Sequence, residues 1–371
     1  LLDQLADGEL KQQLSRCQNL TFQRSNFSIA HRGASLQFPE HTREAYIAAA
    51  RMGAGIIECD VTFTKDKQLV CRHAQCDLHR TTDILTRPKL AKKCSVPFTP
   101  ADPNSNRPAA ARCCTSDITL AEFRSLQGKM DGANLDALNA ESYLQGTANW
   151  RTDLYAATGT LVSFADSIDL FRALNVKMTP ELKAPEVPMP FAGTFTQEAY
   201  AESVVQLLLE KNVSAKQVFL QSFSWPDIQY WLEHHPEFGK QAVYLDDRMD
   251  SPNQLEFAIE SLPELKAQGL NIIAPPLWAL LSLDNDNNIV ASDYATTAKK
   301  TGLGIITWTL ERSGHISKQE DDYYRSFQSA ITSEGDIYRV LEVLHKDLSV
   351  LGVFSDWPAA VTYYANCMGI E

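Results

Sequence analysis

Short apolar runs rich in β-branched residues recur along the chain, and amphipathic stretches separate them. The runs at 27–31 (FSIAH), 55–61 (GIIECDV), 176–183 (VKMTPELK), 217–222 (QVFLQS), 242–246 (AVYLD), 271–275 (NIIAP), 303–310 (LGIITWTL) and 351–356 (LGVFSD) read as strands. Stretches 41–52, 197–211, 226–235 and 254–268 read as amphipathic helices. Strand alternating with helix is the pattern of a parallel sheet with crossover helices, and eight such units predict an α/β fold of the (β/α)8 TIM-barrel type. An open doubly wound sheet would place a glycine-rich phosphate loop after the first strand. Here that turn reads HRGASLQFPEHT, with one glycine.

The run 69–73 (LVCRH) breaks the alternation. Only TKDK separates it from the run before. A parallel return needs a dozen or more residues, so these two runs must form a β-hairpin after strand 2. With Asp66 and Lys67 at the turn, the predicted pairs are Thr64 with Leu69, Thr62 with Cys71, and Asp60 with His73. Directly opposed residues share a face with Cβ atoms about 5 Å apart. Asp60 and His73 are therefore expected to meet, with Glu58 facing the same way. Residues 74–175 are too long for one crossover and are rich in Pro, Cys and polar residues, so they read as an insertion over the active face. The domain reading is a 1–26 segment packing on the barrel, a barrel of 27–73 and 176–371, and the 74–175 insertion.

Composition adds limits. The 371 residues are 44% hydrophobic and 22% charged, as in ordinary globular proteins. The net charge of -12 argues against a nucleic-acid partner. No apolar run approaches the ~20 residues of a membrane-spanning helix, so no integral membrane contact is expected. Eight cysteines without a C-x-x-C pair argue against a structural zinc site. Cys76, Cys94, Cys113 and Cys114 lie in polar, Pro-rich sequence and read as disulfide staples. Cys59 and Cys71 lie inside apolar runs and read as free buried thiols. The chain begins LLDQLADGEL without Met, which reads as a mature form after signal-peptide removal, hence periplasmic or secreted. NLT, NFS and NVS match the glycosylation sequon.

In such a barrel the catalytic groups sit at the carboxyl ends of the strands. Strand one ends in His31-Arg32-Gly33, followed by Glu40. Strand two carries Glu58 and Asp60, and the hairpin adds His73. Strand three carries Glu181 and Lys183, strand four is followed by Phe223, strand seven holds Trp308, and strand eight ends at Asp356. Crowded carboxylates repel one another unless a cation lies between them. Glu58, Asp60 and Glu181 are all-oxygen donors, which suit one divalent cation of the Ca2+ or Mg2+ kind rather than zinc. Arg32 and Lys183 suit an anionic substrate, most simply a phosphate. Two histidines beside it suit acid–base cleavage of a phosphoester. Taken singly, each group has a plainer role. Glu58 and Asp60 would be a solvated strand edge, Glu181 and Lys183 an ion pair, Asp356 a cap for the last helix, and His41 a structural or surface group.

Together, AHRGASLQFPEHTREAY, GAGIIECDVTFTKDKQLVCRH, TPELK, LQSFSW, ITWTL and GVFSDWP resemble the glycerophosphodiester phosphodiesterase family, in order from about residue 28 to 358. The resemblance implies a (β/α)8 barrel with an insertion after strand two. It also implies hydrolysis of small glycerophosphodiesters, such as glycerophosphocholine or glycerophosphoethanolamine, to an alcohol and sn-glycerol 3-phosphate. His31 and His73 would be the acid–base pair. Glu58, Asp60 and Glu181 would be the metal ligands, with Ca2+ ahead of Mg2+. Arg32 and Lys183 would bind phosphate, Glu40 would orient the groups around it, and Phe223 and Trp308 would wall the glycerol. Two positions depart from the family pattern. His41 replaces the Asn of Pro-Glu-Asn-Thr, and Ala74 replaces the Asp of His-Asp, with Asp77 a candidate to stand in for it. The rival readings are a phospholipase D-like enzyme on lysophospholipid or sphingomyelin and a non-catalytic phosphate- or metal-binding barrel.

Overall fold

Eight parallel strands and one antiparallel partner form the main sheet of the protein, whose computed structural model describes residues 1–152, 158–251 and 253–370. The strands are β1 (Ser25–Ala30), β2 (Ala54–Phe63), β3 (Leu69–Cys71), β4 (Lys177–Leu182), β5 (Gln221–Ser222), β6 (Val243–Leu245), β7 (Ile272–Ala274), β8 (Gly304–Thr307) and β9 (Gly352–Ser355). Their order is β1-β9-β8-β7-β6-β5-β4-β2-β3, and β1 also pairs with β2. That last pairing closes eight strands into a ring, and β3 hangs from β2 as the return of the hairpin. The architecture is a (β/α)8 barrel. Each of the eight predicted barrel strands lies within or across one of these elements.

The chain divides into two compact units. The first comprises Leu1–His31, Ala49–Ile56 and Phe219–Glu371. Within it β1 runs parallel to β9, with Ile29 opposite Phe354 and Ala30 opposite Ser355. Its apolar centre is built from Ile29, Ile56, Val243, Leu245, Ile272, Ala274, Ile306 and Phe354, which the strands direct inward. The predicted helix 254–268 is two helices, Leu255–Glu260 and Leu262–Ala267. Pro263 in the first turn of the second lacks the N–H that a continuous helix would use. The N-terminal segment docks on the last helix, Pro358–Met368: the Tyr363 hydroxyl donates to Leu14 O at 2.7 Å, and Cys17 is bonded to Cys367.

The second unit comprises Arg32–Ala48 and Ile57–Val218. All ten residues of β2 are buried, as expected of a strand covered on both faces. The insertion has its own apolar cluster, including Leu78, Ile84, Cys113, Ile118, Phe123 and Leu161. Around it lie four-residue helices and two small antiparallel sheets. Cys76 pairs with Cys114 and Cys94 with Cys113, so the four predicted staples are disulfides. Cys59 and Cys71 are also joined, which corrects the expectation of free thiols. Alternation puts both on one face of the hairpin, with Cα atoms 5.2 Å apart, within the span of a disulfide.

The hairpin exists, but its register differs by one from the prediction. Observed pairs are Val61 with Cys71, Thr62 with Val70, and Phe63 with Leu69. The turn has three residues, not two. Thr64 and Gln68 close it at 3.0 Å, and Lys67 takes φ +59°. A left-handed residue ending a three-residue loop adds one position to the return strand. Asp60 therefore faces Arg72, whose amide donates to Asp60 O at 2.7 Å. The ladder ends at Cys71, and the backbone turns before His73.

Candidate active site

Alternation along β2 sends Glu58 and Asp60 to one face and Cys59 to the other. β4 supplies Glu181 in the same way. The three carboxylates are buried, and their oxygens lie within 4.8 Å of one another. Burial, then the Asp60 and Glu181 charges, push Glu58 well above the ordinary carboxylate range. Burial also raises Glu181, to about 7, against the pull of Lys183. For Asp60 burial acts upward too, but the nearby His41 and Lys183 outweigh it and hold the group ionised. These are the signs of negative charge crowded in a dry place.

The surrounding groups are arranged by an unusual turn. Arg32 and His41 take φ +58° and +54°, left-handed values that non-glycine residues adopt at a cost. Gly33, at φ +92°, could not carry a side chain: its Cβ would lie 2.7 Å from that of Ala45. The turn aims the Arg32 amide at Glu58 Oε2, 3.0 Å away. It also sets the Arg32 guanidinium 3.3 Å from Glu40 Oε2 and 3.8 Å from Asp60 Oδ2. Lys183 Nζ is 2.6 Å from Glu181 Oε1. His41 is fully buried between Tyr46 and Asp60, at 2.9 Å from each. Burial pushes its imidazole down, so at neutral pH a neutral ring donates from Nε2 to Asp60.

His73 is half-buried in the same unit. Burial, and then the Arg32 and Lys183 cations, push its imidazole well below the usual histidine value, while Asp60 and Glu40 act the other way. Asp77 does not bond the His73 ring. Its carboxylate accepts from the Ala74 amide at 3.1 Å, fixing the backbone just after His73. Burial raises this group to about 7.

His31 belongs to the other unit and precedes Arg32 in the chain. Its Nδ1 lies 2.6 Å from Asp356 Oδ1, and Arg312 donates to Asp356 Oδ2 at 3.0 Å. Asp356 does not cap the last helix, whose N-cap is Trp357 with no side-chain cap bond. The same unit places Phe223 edge-on to Trp308, ring centres 5.7 Å apart, and Trp308 edge-on to Tyr323 at 5.6 Å. Trp308 is held by a 2.7 Å bond from its indole N–H to Ala274 O. Sequence reasoning placed Asp356 at the end of strand eight and His41 among structural or surface groups, without the partners the structure gives them, and missed Arg312. For Asp356 the signal was available, because it ends the last barrel strand. Arg312, five residues beyond β8, carried none.

The donor set fits a hard divalent cation. It offers oxygen alone, and Asp60 Oδ1 is buried with no hydrogen-bond partner. A buried carboxylate oxygen left without a donor is costly unless something else satisfies it.

Comparison with known proteins gives a consistent result. The family model described as the glycerophosphoryl diester phosphodiesterase family matches residues 31–358. A protein of Arthroderma benhamiae called "Extracellular protein" is 46% identical over 245 residues, which is 65% of this chain and 100% of that one. A putative glycerophosphoryl diester phosphodiesterase from Silicibacter pomeroyi has a similar structure. Its TM-score is 0.58 at 18% identity, covering 97% of this chain and 98% of that chain. A phosphodiesterase from Oleispira antarctica, solved with the product sn-glycerol-3-phosphate, gives 0.53 at 16% identity, covering 91% and 96%. At such identities these two structures speak for the fold.

Proposed function

The chain belongs to the glycerophosphoryl diester phosphodiesterase family and hydrolyses glycerophosphodiesters, and from that premise we propose how its residues divide the work. The observation that carries the reading is the trio of buried carboxylates, Glu58, Asp60 and Glu181, with Arg32 and Lys183 among them. These three would hold one divalent cation, Ca2+ ahead of Mg2+, because carboxylates spread over two strands tolerate the looser shell of the larger ion. When bound, the ion supplies positive charge that lowers the repulsion met by an oxygen attacking phosphorus.

Arg32 and Lys183 bind and orient the phosphate. His31 acts as the base. Asp356 takes its Nδ1–H, so Nε2 keeps the lone pair that accepts a proton from the glycerol 2-hydroxyl. That oxygen bonds to phosphorus and forms a cyclic phosphate as the bond to the leaving alcohol breaks. His73, whose imidazolium the bound anionic phosphate favours against the pull of burial, gives the alcohol its proton. Water then opens the cycle, with the two histidines exchanging roles, and sn-glycerol 3-phosphate departs. Trp308 and Phe223 wall the glycerol. The substrates are small diesters such as glycerophosphocholine and glycerophosphoethanolamine, and the enzyme is secreted. Its four disulfides and its similarity to a protein called extracellular support that location.

The test is hydrolysis of a panel comprising glycerophosphocholine, glycerophosphoethanolamine and lysophosphatidylcholine, before and after chelation. Activity on the first two is expected to vanish with chelator and to return more fully with Ca2+ than with Mg2+. His31→Ala and His73→Ala should each lose about two to four orders of magnitude in kcat while staying folded. Turnover indifferent to thorough metal removal, or a preference for lysophosphatidylcholine, would refute the assignment.

A further inference from the structure

The stretch carrying His73 runs from Arg72 to Gln75, and a disulfide-bonded cysteine stands at each end. Cys71 is joined to Cys59, and Cys76 to Cys114. Cys59 lies between Glu58 and Asp60 in β2, so the first bridge ties the strand bearing two of the carboxylates to the final rung of the hairpin. β3 gives only three residues to that ladder. The second bridge ties the far end of the stretch to Cys114, beside Thr115, whose amide donates to Gln75 O at 2.7 Å.

Between the bridges the backbone forms no strand or helix. Its polar supports are the Ala74 amide on Asp77 and the Gln75 amide oxygen, which accepts from the Glu186 amide at 2.9 Å. Arg72 is fully buried and bonds the carbonyls of Cys71, Glu40 and Thr81. A three-rung strand end with a few such bonds would open readily by itself. A general acid displaced by about 1 Å loses much of its effect.

We propose that the Cys59–Cys71 and Cys76–Cys114 disulfides are positioning devices for His73, holding it over the carboxylate trio, so that turnover requires both bridges to be oxidised. This rests on the reading of His73 as the acid. The carboxylates sit on long barrel strands and do not depend on the bridges. Opening a bridge should therefore lower kcat with little change in KM or in cation affinity, which a general loosening of the fold would not do.

The experiment compares C59A/C71A, C76A/C114A and a control, C94A/C113A, whose bridge does not adjoin the stretch carrying His73. Kinetics on glycerophosphocholine are read with Ca2+ binding by calorimetry. Each of the first two variants is expected to lose at least about tenfold in kcat, with KM and the Ca2+ Kd within about threefold, and the control is expected to keep kcat within about twofold. Unchanged kcat in C59A/C71A, an equal loss in the control, or a Ca2+ Kd that weakens in step with kcat would each overturn the proposal.

The wild-type enzyme gives a second test that needs no refolded variant. It is treated with rising dithiothreitol, which donates two electrons and two protons per bridge and becomes a cyclic disulfide. Alkylation and mass spectrometry identify the opened bridges. Activity should fall as Cys71 or Cys76 becomes alkylated, and activity that survives their alkylation refutes the idea. H73A is assayed alongside. If it loses turnover while the cysteine variants do not, only the positioning role fails. If H73A keeps its turnover, the reading of the acid fails.

Discussion

Asp356 shows how much one buried carboxylate can decide. It takes the Nδ1–H of His31 and is itself held by Arg312. Asp356→Asn can present an amide N–H instead, which favours the wrong imidazole tautomer. About a hundredfold or greater loss of kcat is expected, with KM little changed, because the ring would still be present but mis-protonated. Nearby Glu311 accepts from Ser355 at 2.7 Å. Burial, and then the charge of Asp356, raise it to about 8. In the unfolded chain it titrates near the ordinary ~4.3. Between those values the unfolded state sheds a proton that the folded state keeps, so the folded state loses ground as pH rises. Glu311→Gln cannot ionise. Its Tm relative to wild type should climb from pH 5 to pH 8.5, and a constant difference across that range would contradict the raised value.

The hairpin and the turn after β1 show what sequence pattern conveys about elements and what it leaves out. Apolar alternation and a spacing too short for a crossover were enough to place β3 against β2. Register was a different matter, since it hangs on whether Lys67 enters the left-handed region, and a lysine gives no sign of that. The slip put Asp60 opposite Arg72, yet His73 stays among the groups that charge Asp60, because the ladder stops at Cys71. The eight barrel strands were legible because β-branched runs repeat. The partnering of His31 with Asp356 was not, since it joins residues 325 positions apart. Lys67→Val, a β-branched residue that resists the left-handed region, should favour a two-residue loop, shift β3 by one and turn Cys71 away from Cys59. Two thiols should then titrate in denaturant and activity should be lost. Gly33→Ala should cost about 2 kcal/mol or more, seen in urea unfolding, since it combines a left-handed φ with a 2.7 Å clash.

Across the whole molecule, charge and cysteine usage were informative in opposite ways. With a net charge of -12, any attraction for an anion must come from local cations, and the proposed phosphate contacts Arg32 and Lys183 are such groups. The cysteines were judged one run at a time, and that missed the two bridges whose partners lie on neighbouring strands or at opposite ends of the chain. All eight are paired among the described residues. Cys17, in the turn after the helix Glu9–Ser15, and Cys367, in the last helix, are joined across 350 positions of sequence. The polypeptide is thereby close to a covalent ring. A protease that cuts the exposed turn at 284–288 would release no fragment. The clipped enzyme should run as one band on a non-reducing gel and as two under reduction. A single cut there is then survivable, and fresh chain ends for a circular permutant can be opened at that same turn.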